Sequence, residues 1–183
     1  MKCNDKIFAS SSNDKTIRIW DYYGRKLIKT IEANEDCILS MIKLKNGNLC
    51  SAGNDFCIKI WDWEQGICLY EIPCSNEIIR CLCQLDDETL LSGSDDNIIK
   101  IWKNNELYNQ LEGHKDKIRT LCKIDENYFA SGSFDNTIKI WDIKNLNCFQ
   151  TLNDHSSLVT CILKLKDNSL VSCSSDKTIK IWK

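Results

Sequence analysis

The sequence predicts an all-β fold built from five copies of one antiparallel unit. A twelve-residue pattern that starts at Ser and reaches Ile-x-Ile-Trp recurs along the whole chain. In each copy β-branched residues alternate with polar ones, which is the two-residue period of a strand. No window has the period of an amphipathic helix. The copies cover residues 10–21, 51–62, 92–103, 131–142 and 172–183.

The tryptophan that ends each copy sets the length of the repeat. Successive members of this series are 41, 41, 39 and 41 residues apart, and Trp63 lies outside it. A period near 40 residues made of short strands is typical of the blades of a β-propeller. The series consists of Trp20, Trp61, Trp102, Trp141 and Trp182.

Each unit divides into four extended segments, and the fourth unit shows them best. Its predicted strands, separated by polar turns, are residues 118–124, 128–131, 137–141 and 148–152. Residues 132–136 contain Gly and Asp and predict a tight turn between the second and third strands. The one proline, Pro73, is at the end of a fourth strand, where it removes no bond from a central strand.

Both ends of the chain hold incomplete units. The first unit lacks its first strand and the fifth lacks its fourth, so we predict 18 strands in three complete and two three-stranded blades. This count predicts an open or partial propeller that forms a single domain over residues 1–183. The repeat units end near Asp21, Asp62, Lys103, Asp142 and Lys183.

Composition narrows the functional class. The net charge is −2, so the chain lacks the basic field that generic nucleic-acid binding requires. No apolar run approaches the length of a membrane span, and the first ten residues lack a signal core. The 12 cysteines mostly occupy strand-like segments in which other repeats have Ser, Thr, Leu or Ile. We therefore expect a reduced intracellular compartment, cytoplasmic or nuclear, with no zinc site and no cofactor.

Four polar or aromatic positions recur at fixed offsets. His114, Ser131, Asp135 and Trp141 stand at offsets 0, 17, 21 and 27. A buried indole N–H needs an acceptor, a Ser hydroxyl can pass the bond to an imidazole, and the imidazole can donate to a carboxylate. The same positions in the other units are Ser10, Asp14 and Trp20; Ser51, Asp55 and Trp61; Ser92, Asp96 and Trp102; and His155, Ser172, Asp176 and Trp182.

A Ser-His-Asp catalytic triad is the alternative interpretation of this set. It is disfavoured because the set is duplicated and because two units replace the His, whereas a catalytic triad has no reason to recur in every unit. Asn34 and Ser75 occupy the His position in the second and third units. We expect weaker hydrogen-bond networks in those two units.

These motifs resemble the WD-repeat β-propeller family. Three motifs match that family: Gly113–His114 before the first strand, the Ser-Gly-Ser-x-Asp turn, and Ile-Lys-Ile-Trp-Asp at the end of the third strand. The resemblance covers essentially the whole chain. It implies blades arranged around a channel, with the first strands innermost. It also implies that the loops before the first strands and the turns between second and third strands share one face, where partners bind.

Comparison of the repeats shows which positions on that face vary. The residues beside the constant apolar residue of each first strand differ, and so does the residue before each turn Asp. Phe134 is expected to be an exposed aromatic anchor. Arg80, Lys117 and Arg119 suggest a mildly basic sector suited to an acidic peptide. The remaining candidates for partner binding are Leu39, Asn54, Ile78, Asp95 and Leu158.

The sequence therefore predicts a non-catalytic scaffold that binds proteins or peptides on the loop face, with no membrane or direct nucleic-acid partner. One alternative is an enzyme that uses the channel, but no unrepeated cluster of titratable residues supports it. The other is a fragment of a larger seven-bladed protein, such as a ubiquitin-ligase substrate adaptor or signalling scaffold. Open blade edges near residues 178–182 also predict self-association.

Overall fold

The structure is a computed structural model that describes residues 1–74 and 77–183. Over this part of the chain it has eighteen strands in five separate antiparallel sheets, which we number as blades 1 to 5. Blade 1 contains β1 (Ile7–Ser11), β2 (Thr16–Asp21) and β3 (Lys26–Glu32). Blade 2 contains β4 (Ile38–Lys43), β5 (Leu49–Gly53), β6 (Cys57–Asp62) and β7 (Ile67–Pro73).

The later blades repeat this order. Blade 3 contains β8 (Ile79–Gln84), β9 (Thr89–Ser94), β10 (Ile99–Lys103) and β11 (Glu106–Leu111). Blade 4 contains β12 (Ile118–Lys123), β13 (Tyr128–Ser133), β14 (Ile138–Asp142) and β15 (Asn147–Leu152). Blade 5 contains β16 (Val159–Lys164), β17 (Leu170–Ser174) and β18 (Ile179–Trp182).

Every sheet follows chain order, with each strand paired to the next. The predicted all-β architecture, with three four-stranded and two three-stranded blades, is confirmed. Among the described residues, no helix is long and apolar enough to cross a membrane.

The turn predicted at residues 132–136 starts two residues later than expected, because β13 continues to Ser133. Gly132 pairs with Thr120 on one side and Ile138 on the other, so it belongs to the ladder. A Cβ at this position would lie 2.7 Å from Cγ1 of Val159. Close packing between blades 4 and 5 therefore explains this glycine better than turn geometry does.

The outer strands share a bulge. In blades 1 to 4 the pairing of the last two strands slips by one residue beside the repeat tryptophan. A bulge increases local twist and makes an edge less suitable for pairing with another strand. Each bulge holds an exposed apolar residue: Ile28, Leu69, Tyr108 or Phe149.

The chain divides into two compact units, Met1–Leu82 and Cys83–Lys183, each with its own core. In the first unit, Ile17 and Ile19 of blade 1 pack with Ile38 and Leu49 of blade 2. The second unit has the equivalent cluster: Ala130, Ile138 and Ile140 of blade 4 pack with Val159, Ile162 and Leu170 of blade 5. The Ile-x-Ile side of one blade is thus covered by the first two strands of the next. One domain over residues 1–183 stays a prediction.

The repeat tryptophans should matter more to stability than Trp63. Trp102 is buried, whereas Trp63 is half-buried and packs at the margin of the first cluster. We expect Trp102→Ala to lower the free energy of unfolding by about 3–5 kcal/mol, as a large-to-small core change does. Trp63→Ala should cost clearly less. Urea unfolding of the two variants tests this, and equal losses would contradict the assigned repeat register.

Candidate functional site

Blade 4 contains a continuous hydrogen-bond chain from its third strand to its entry loop. Nε1 of Trp141 donates to Oγ of Ser131 at 2.7 Å, and this oxygen lies 2.6 Å from Nε2 of His114. Nδ1 of His114 is 2.8 Å from Oδ2 of Asp135. Three segments of the blade and the turn between β13 and β14 are therefore joined by four side chains.

The carboxylate determines the direction of the bonds. An ionised Asp135 can only accept, so Nδ1 of His114 carries the proton and Nε2 accepts from the Ser131 hydroxyl. Oδ1 of Asp135 also accepts from the amide and hydroxyl of Thr137, at 2.9 and 2.7 Å. Burial opposes ionisation of Asp135, but the hydrogen bonds from His114, the Lys115 amide and Thr137 outweigh it and hold its pKa well below the ordinary value.

Blade 5 repeats this chain. Nε1 of Trp182 donates to Oγ of Ser172 at 2.9 Å, and His155 lies 2.7 Å from both Ser172 and Asp176. Hydrogen bonds from Thr178, and then from His155, lower the pKa of Asp176 in spite of its partial burial. The structure thus brings together all eight predicted residues of these two blades.

Blade 2 keeps an unbroken chain of bonds with Asn34 in the His position, while the expected weakness of its network stays a prediction. Nε1 of Trp61 donates to Oγ of Ser51 at 2.9 Å, and that hydroxyl donates to Oδ1 of Asn34 at 2.9 Å. Nδ2 of Asn34 then donates to Oδ2 of Asp55 at 2.8 Å. A carboxamide accepts at one end and donates at the other, as a neutral imidazole does. Asn34 therefore replaces His without breaking the chain of bonds. Ser75, the equivalent residue of blade 3, lies outside the described residues.

In blades 1 and 3 a cation of the third strand binds the turn Asp. Arg18 contacts Asp14 at 2.6 Å in blade 1, and Lys100 contacts Asp96 at 2.7 Å in blade 3. In blades 4 and 5 the equivalent lysines turn to other acceptors. Lys139 donates to Oγ1 of Thr151 at 3.0 Å, and Lys180 donates to the Asp154 carbonyl at 2.7 Å. The two Trp-Ser pairs of blades 1 and 3 remain, at 2.9 and 2.8 Å.

Asp55 of blade 2 is the exception within this set. Its Oδ1 is buried and has no hydrogen-bond partner among the described residues. The sister oxygens accept from a Thr hydroxyl or a Ser hydroxyl, but blade 2 has Cys57 and Gly53 at those positions. A Cβ on Gly53 would lie 1.9 Å from the Cys37 carbonyl oxygen, so the close approach of the entry loop requires glycine here.

The network also fixes the loop face of blades 2, 4 and 5. The turn residue before the Asp donates its amide to the entry loop in blades 2, 4 and 5: Asn54 to Cys37 at 3.0 Å, Phe134 to Lys117 at 2.9 Å, and Ser175 to Leu158 at 3.0 Å. The Asp carboxylate accepts from the same loop, as from the Lys115 amide at 2.9 Å. The backbone of this face is therefore held alike in these three blades while its side chains differ.

The candidate binding residues are less exposed than the sequence suggested. All nine are half-buried: Leu39, Asn54, Ile78, Arg80, Asp95, Lys117, Arg119, Phe134 and Leu158. The expectation that Phe134 is an exposed aromatic is wrong in degree, because its turn folds against the entry loop. Lys117 and Asp95 form an ion pair at 3.2 Å, so the positive charge of the predicted basic sector is partly neutralised.

Sequence reasoning missed Phe56, an exposed aromatic on the same kind of turn in blade 2. The residue after the turn Asp has a left-handed backbone in all five blades, and φ of Phe56 is 62°. Asn97 and Asn136 fill this position in blades 3 and 4, each with φ of 69°, and Asn tolerates it. A Phe here is strained. Lys15 and Lys177 fill the position in blades 1 and 5, and the Asn after Asp in blades 3 and 4 was the signal that could have identified it.

The Ser-His-Asp sets are poorly placed for catalysis. Ser131 and Ser172 are each 0% exposed, and their oxygens already bind the indole N–H. A nucleophile has to reach its substrate, so the buried hydroxyls do not fit that role. Within residues 1–74 and 77–183, no group of three His, Cys, Asp or Glu residues could hold a metal ion. All 12 cysteines are free thiols.

Asn34 and His114 should contribute comparably to stability, because each carries two bonds of a buried chain. We expect Asn34→Ala and His114→Ala each to lower the free energy of unfolding by about 1–3 kcal/mol, the cost of leaving buried polar partners unsatisfied. Chemical unfolding measures both losses. Exposed Asn153→Ala is the control and should be near neutral. A near-neutral Asn34→Ala would show that the amide does not transmit the network.

The lowered pKa of Asp135 predicts a specific pH dependence. Folded Asp135 takes up its proton at lower pH than the unfolded residue, whose pKa is about 3.9. Its stabilisation is therefore complete above about pH 4 and is lost as the pH falls toward the folded value. Asp135→Asn should destabilise the chain most near neutral pH and progressively less below about pH 4. Unfolding curves across this range test it, and a constant difference would contradict the assignment.

Comparison with known proteins agrees with this architecture. The family model for the WD domain, G-beta repeat, matches residues 2–21, 25–62, 66–103, 105–142 and 146–183. A comparison with curated protein sequences found no match. Among solved structures, the chain is similar to the crystal structure of the computationally designed Ika8 protein, with 30% identity and a TM-score of 0.82. The similarity covers 98% of this chain and 56% of that one. The chain belongs to the WD domain, G-beta repeat family, and its fold is a WD-repeat β-propeller.

Proposed function

We propose that this chain is a non-catalytic scaffold that binds a peptide or partner domain on its loop face. WD domains generally serve as protein-interaction scaffolds. The observation that supports binding on the loop face is the fixed backbone of that face. In blades 2, 4 and 5 the turn and the entry loop are joined by the same bonds, and only the projecting side chains differ. A face with a fixed backbone loses little conformational entropy when a partner binds.

The second unit contains the larger number of candidate residues. Phe134 is bonded through its amide to the Lys117 carbonyl, and the Lys117 ammonium pairs with Asp95. Arg119 lies two residues further along β12 and is half-buried. An aromatic ring with adjacent cationic groups is a typical composition for a binding hot spot. We define Asp95, Lys117, Arg119 and Phe134 as the unit 2 patch, and acidic peptides with an apolar residue suit it best.

In the first unit, Phe56 supports the same interpretation. Its left-handed backbone costs about 1–2 kcal/mol, which Asn at this position largely avoids. Lys15 and Lys177 share this backbone conformation, so the exposure of the Phe56 ring, more than the strain, points to a contact with a partner. Phe56 is exposed two residues after Asn54 in the same turn, so we assign it to the binding face of blade 2.

A second candidate function is that of a subunit or fragment of a larger WD-repeat protein. The chain spans only 56% of the similar solved structure, which favours this alternative. The two functions are compatible, because the loop faces of blades 2, 4 and 5 are held by bonds within this chain. The free thiols support an intracellular role, and the burial of Ser131 and Ser172 supports a non-catalytic one.

The binding face can be tested with peptides selected from a phage-displayed random library on the unaltered chain. We expect Phe134→Ala with Arg119→Glu to weaken unit 2 binders about 30-fold, as the loss of a hot-spot aromatic worth at least 2 kcal/mol predicts. Phe56→Asn should weaken unit 1 binders while raising the free energy of unfolding by about 1 kcal/mol. Fluorescence anisotropy and urea unfolding give the two readouts.

The matched control is Lys144→Glu, an exposed residue in the turn between β14 and β15 at the opposite end of the blade. It should leave the affinity of every selected peptide unchanged. Peptides that bind all loop-face variants normally, or that lose binding only with Lys144→Glu, would contradict the proposed face.

A further inference from the structure

Blade 5 has an apolar side that its own unit leaves uncovered. Ile179 and Ile181 of β18 are 72% and 63% exposed, whereas the equivalent Ile138 and Ile140 of β14 are 1% and 7% exposed. Leu163 is exposed on the same blade. With Leu165, also exposed, these residues form what we call the rear face: Leu163, Leu165, Ile179 and Ile181.

The chain itself shows what covers such a face. In blade 4 the equivalent residues pack against Val159, Ile162 and Leu170 of the next blade. In blade 1, Ile17 and Ile19 pack against Ile38 and Leu49 of the next blade. The same kind of surface is thus covered twice by the same kind of partner, namely the first two strands of another repeat.

Blade 1 leaves the complementary side open. Phe8 occupies the repeat position of Leu49 and Leu170, the residues that cover the preceding blade. Phe8 itself is exposed and stacks on Trp20. Tyr22 and Tyr23 beside it are 64% and 71% exposed. These residues line a cavity of about 570 Å³ together with Met1 and Ile7. We call Phe8, Tyr22 and Tyr23 the front face.

A groove inside the second unit shows how a front face and a rear face meet. This groove, of about 220 Å³, is lined by Leu85 and Ile101 of blade 3 and by Phe129 and Ile143 of blade 4. Leu85 and Ile101 are the repeat equivalents of the rear-face residues Leu165 and Ile181. Phe129 and Ile143 are the equivalents of the front-face residues Phe8 and Tyr22. The two open faces therefore carry the residue pattern of an interface that the chain already forms.

Apolar side chains dominate both faces. Blade 5 exposes both isoleucines of its Ile-Lys-Ile-Trp strand, and blade 1 exposes aromatic residues. Exposed apolar patches of this kind mark interaction surfaces.

We propose that two copies of this chain associate head to tail, with the rear face of one copy docked on the front face of the other. The contact is heterologous, because the two copies contribute different surfaces. It involves the sides of the terminal blades and not the loop face, so it is independent of the proposed function. A second copy is the occupant that carries the complementary front face in this same sequence.

The test uses the full chain in sedimentation velocity over a concentration series. A rear variant carries Ile179→Lys with Ile181→Lys, and a front variant carries Tyr22→Lys with Tyr23→Lys. All four side chains are exposed, so each variant should keep the melting temperature of the unaltered chain. Ile67→Lys, an exposed isoleucine on β7, is the matched control. If a double variant melts early, Leu163→Lys replaces it at the rear face and Tyr23→Lys at the front face.

We expect the unaltered chain and the Ile67→Lys control to self-associate, and each double variant alone to be monomeric. An equimolar mixture of the two variants should restore a one-to-one dimer, because each supplies the face that the other lacks. A monomeric unaltered chain at every concentration would overturn the proposal, and so would a mixture that stays monomeric. A variant that still dimerises alone would show that one face binds itself and would overturn the heterologous contact.

Discussion

The buried indole N–H of the repeat tryptophan is the constraint on which the rest of the blade depends. An unsatisfied N–H in a core is costly, and the Ser oxygen of the neighbouring strand is within 2.7 to 2.9 Å in all five blades. Once this hydroxyl accepts from Trp, its proton needs an acceptor of its own, which His114, His155 and Asn34 provide. The bond then passes to the turn Asp and from it to the backbone of the loop face. A requirement of the core thus fixes the geometry of the surface.

The turn Asp has more than one acceptable partner, which explains how the repeats diverge. A partly buried carboxylate needs donors and gains from a positive charge. Arg18 and Lys100 supply a donor and a positive charge in blades 1 and 3. In blades 4 and 5 His114 and His155 donate to the Asp, and the strand lysines bind other acceptors. Blade 2 combines Asn34 with Lys59, which lies 3.4 Å from Asp55. The strand cation therefore follows from polar satisfaction and need not be assigned to partner choice.

The strands and their number could be predicted from the sequence because they depend on alternation and on a fixed repeat length. The chain of bonds in blades 4 and 5 was also predictable, since its members recur at constant offsets. The bonds of Asn34 were not, because they depend on how closely the entry loop approaches, which Gly53 permits. The half-burial of Phe134 and the strain at Phe56 depend likewise on loop packing and backbone angle. Such features arise from three-dimensional distances that a residue pattern does not contain.

The two kinds of surface on this molecule differ in how freely they can change. Residues of the loop face contribute little to the network that holds them, so Asn54, Asp95, Phe134 and Ser175 can differ at one turn position without loss of the fold. Residues on the sides of the blades have no such freedom, because an interior blade must bury them against its neighbour. Ile179 and Ile181 of blade 5 keep the apolar residue type of the interior blades although they are exposed. Exposure without a change toward polar residues is expected where another blade still covers the surface.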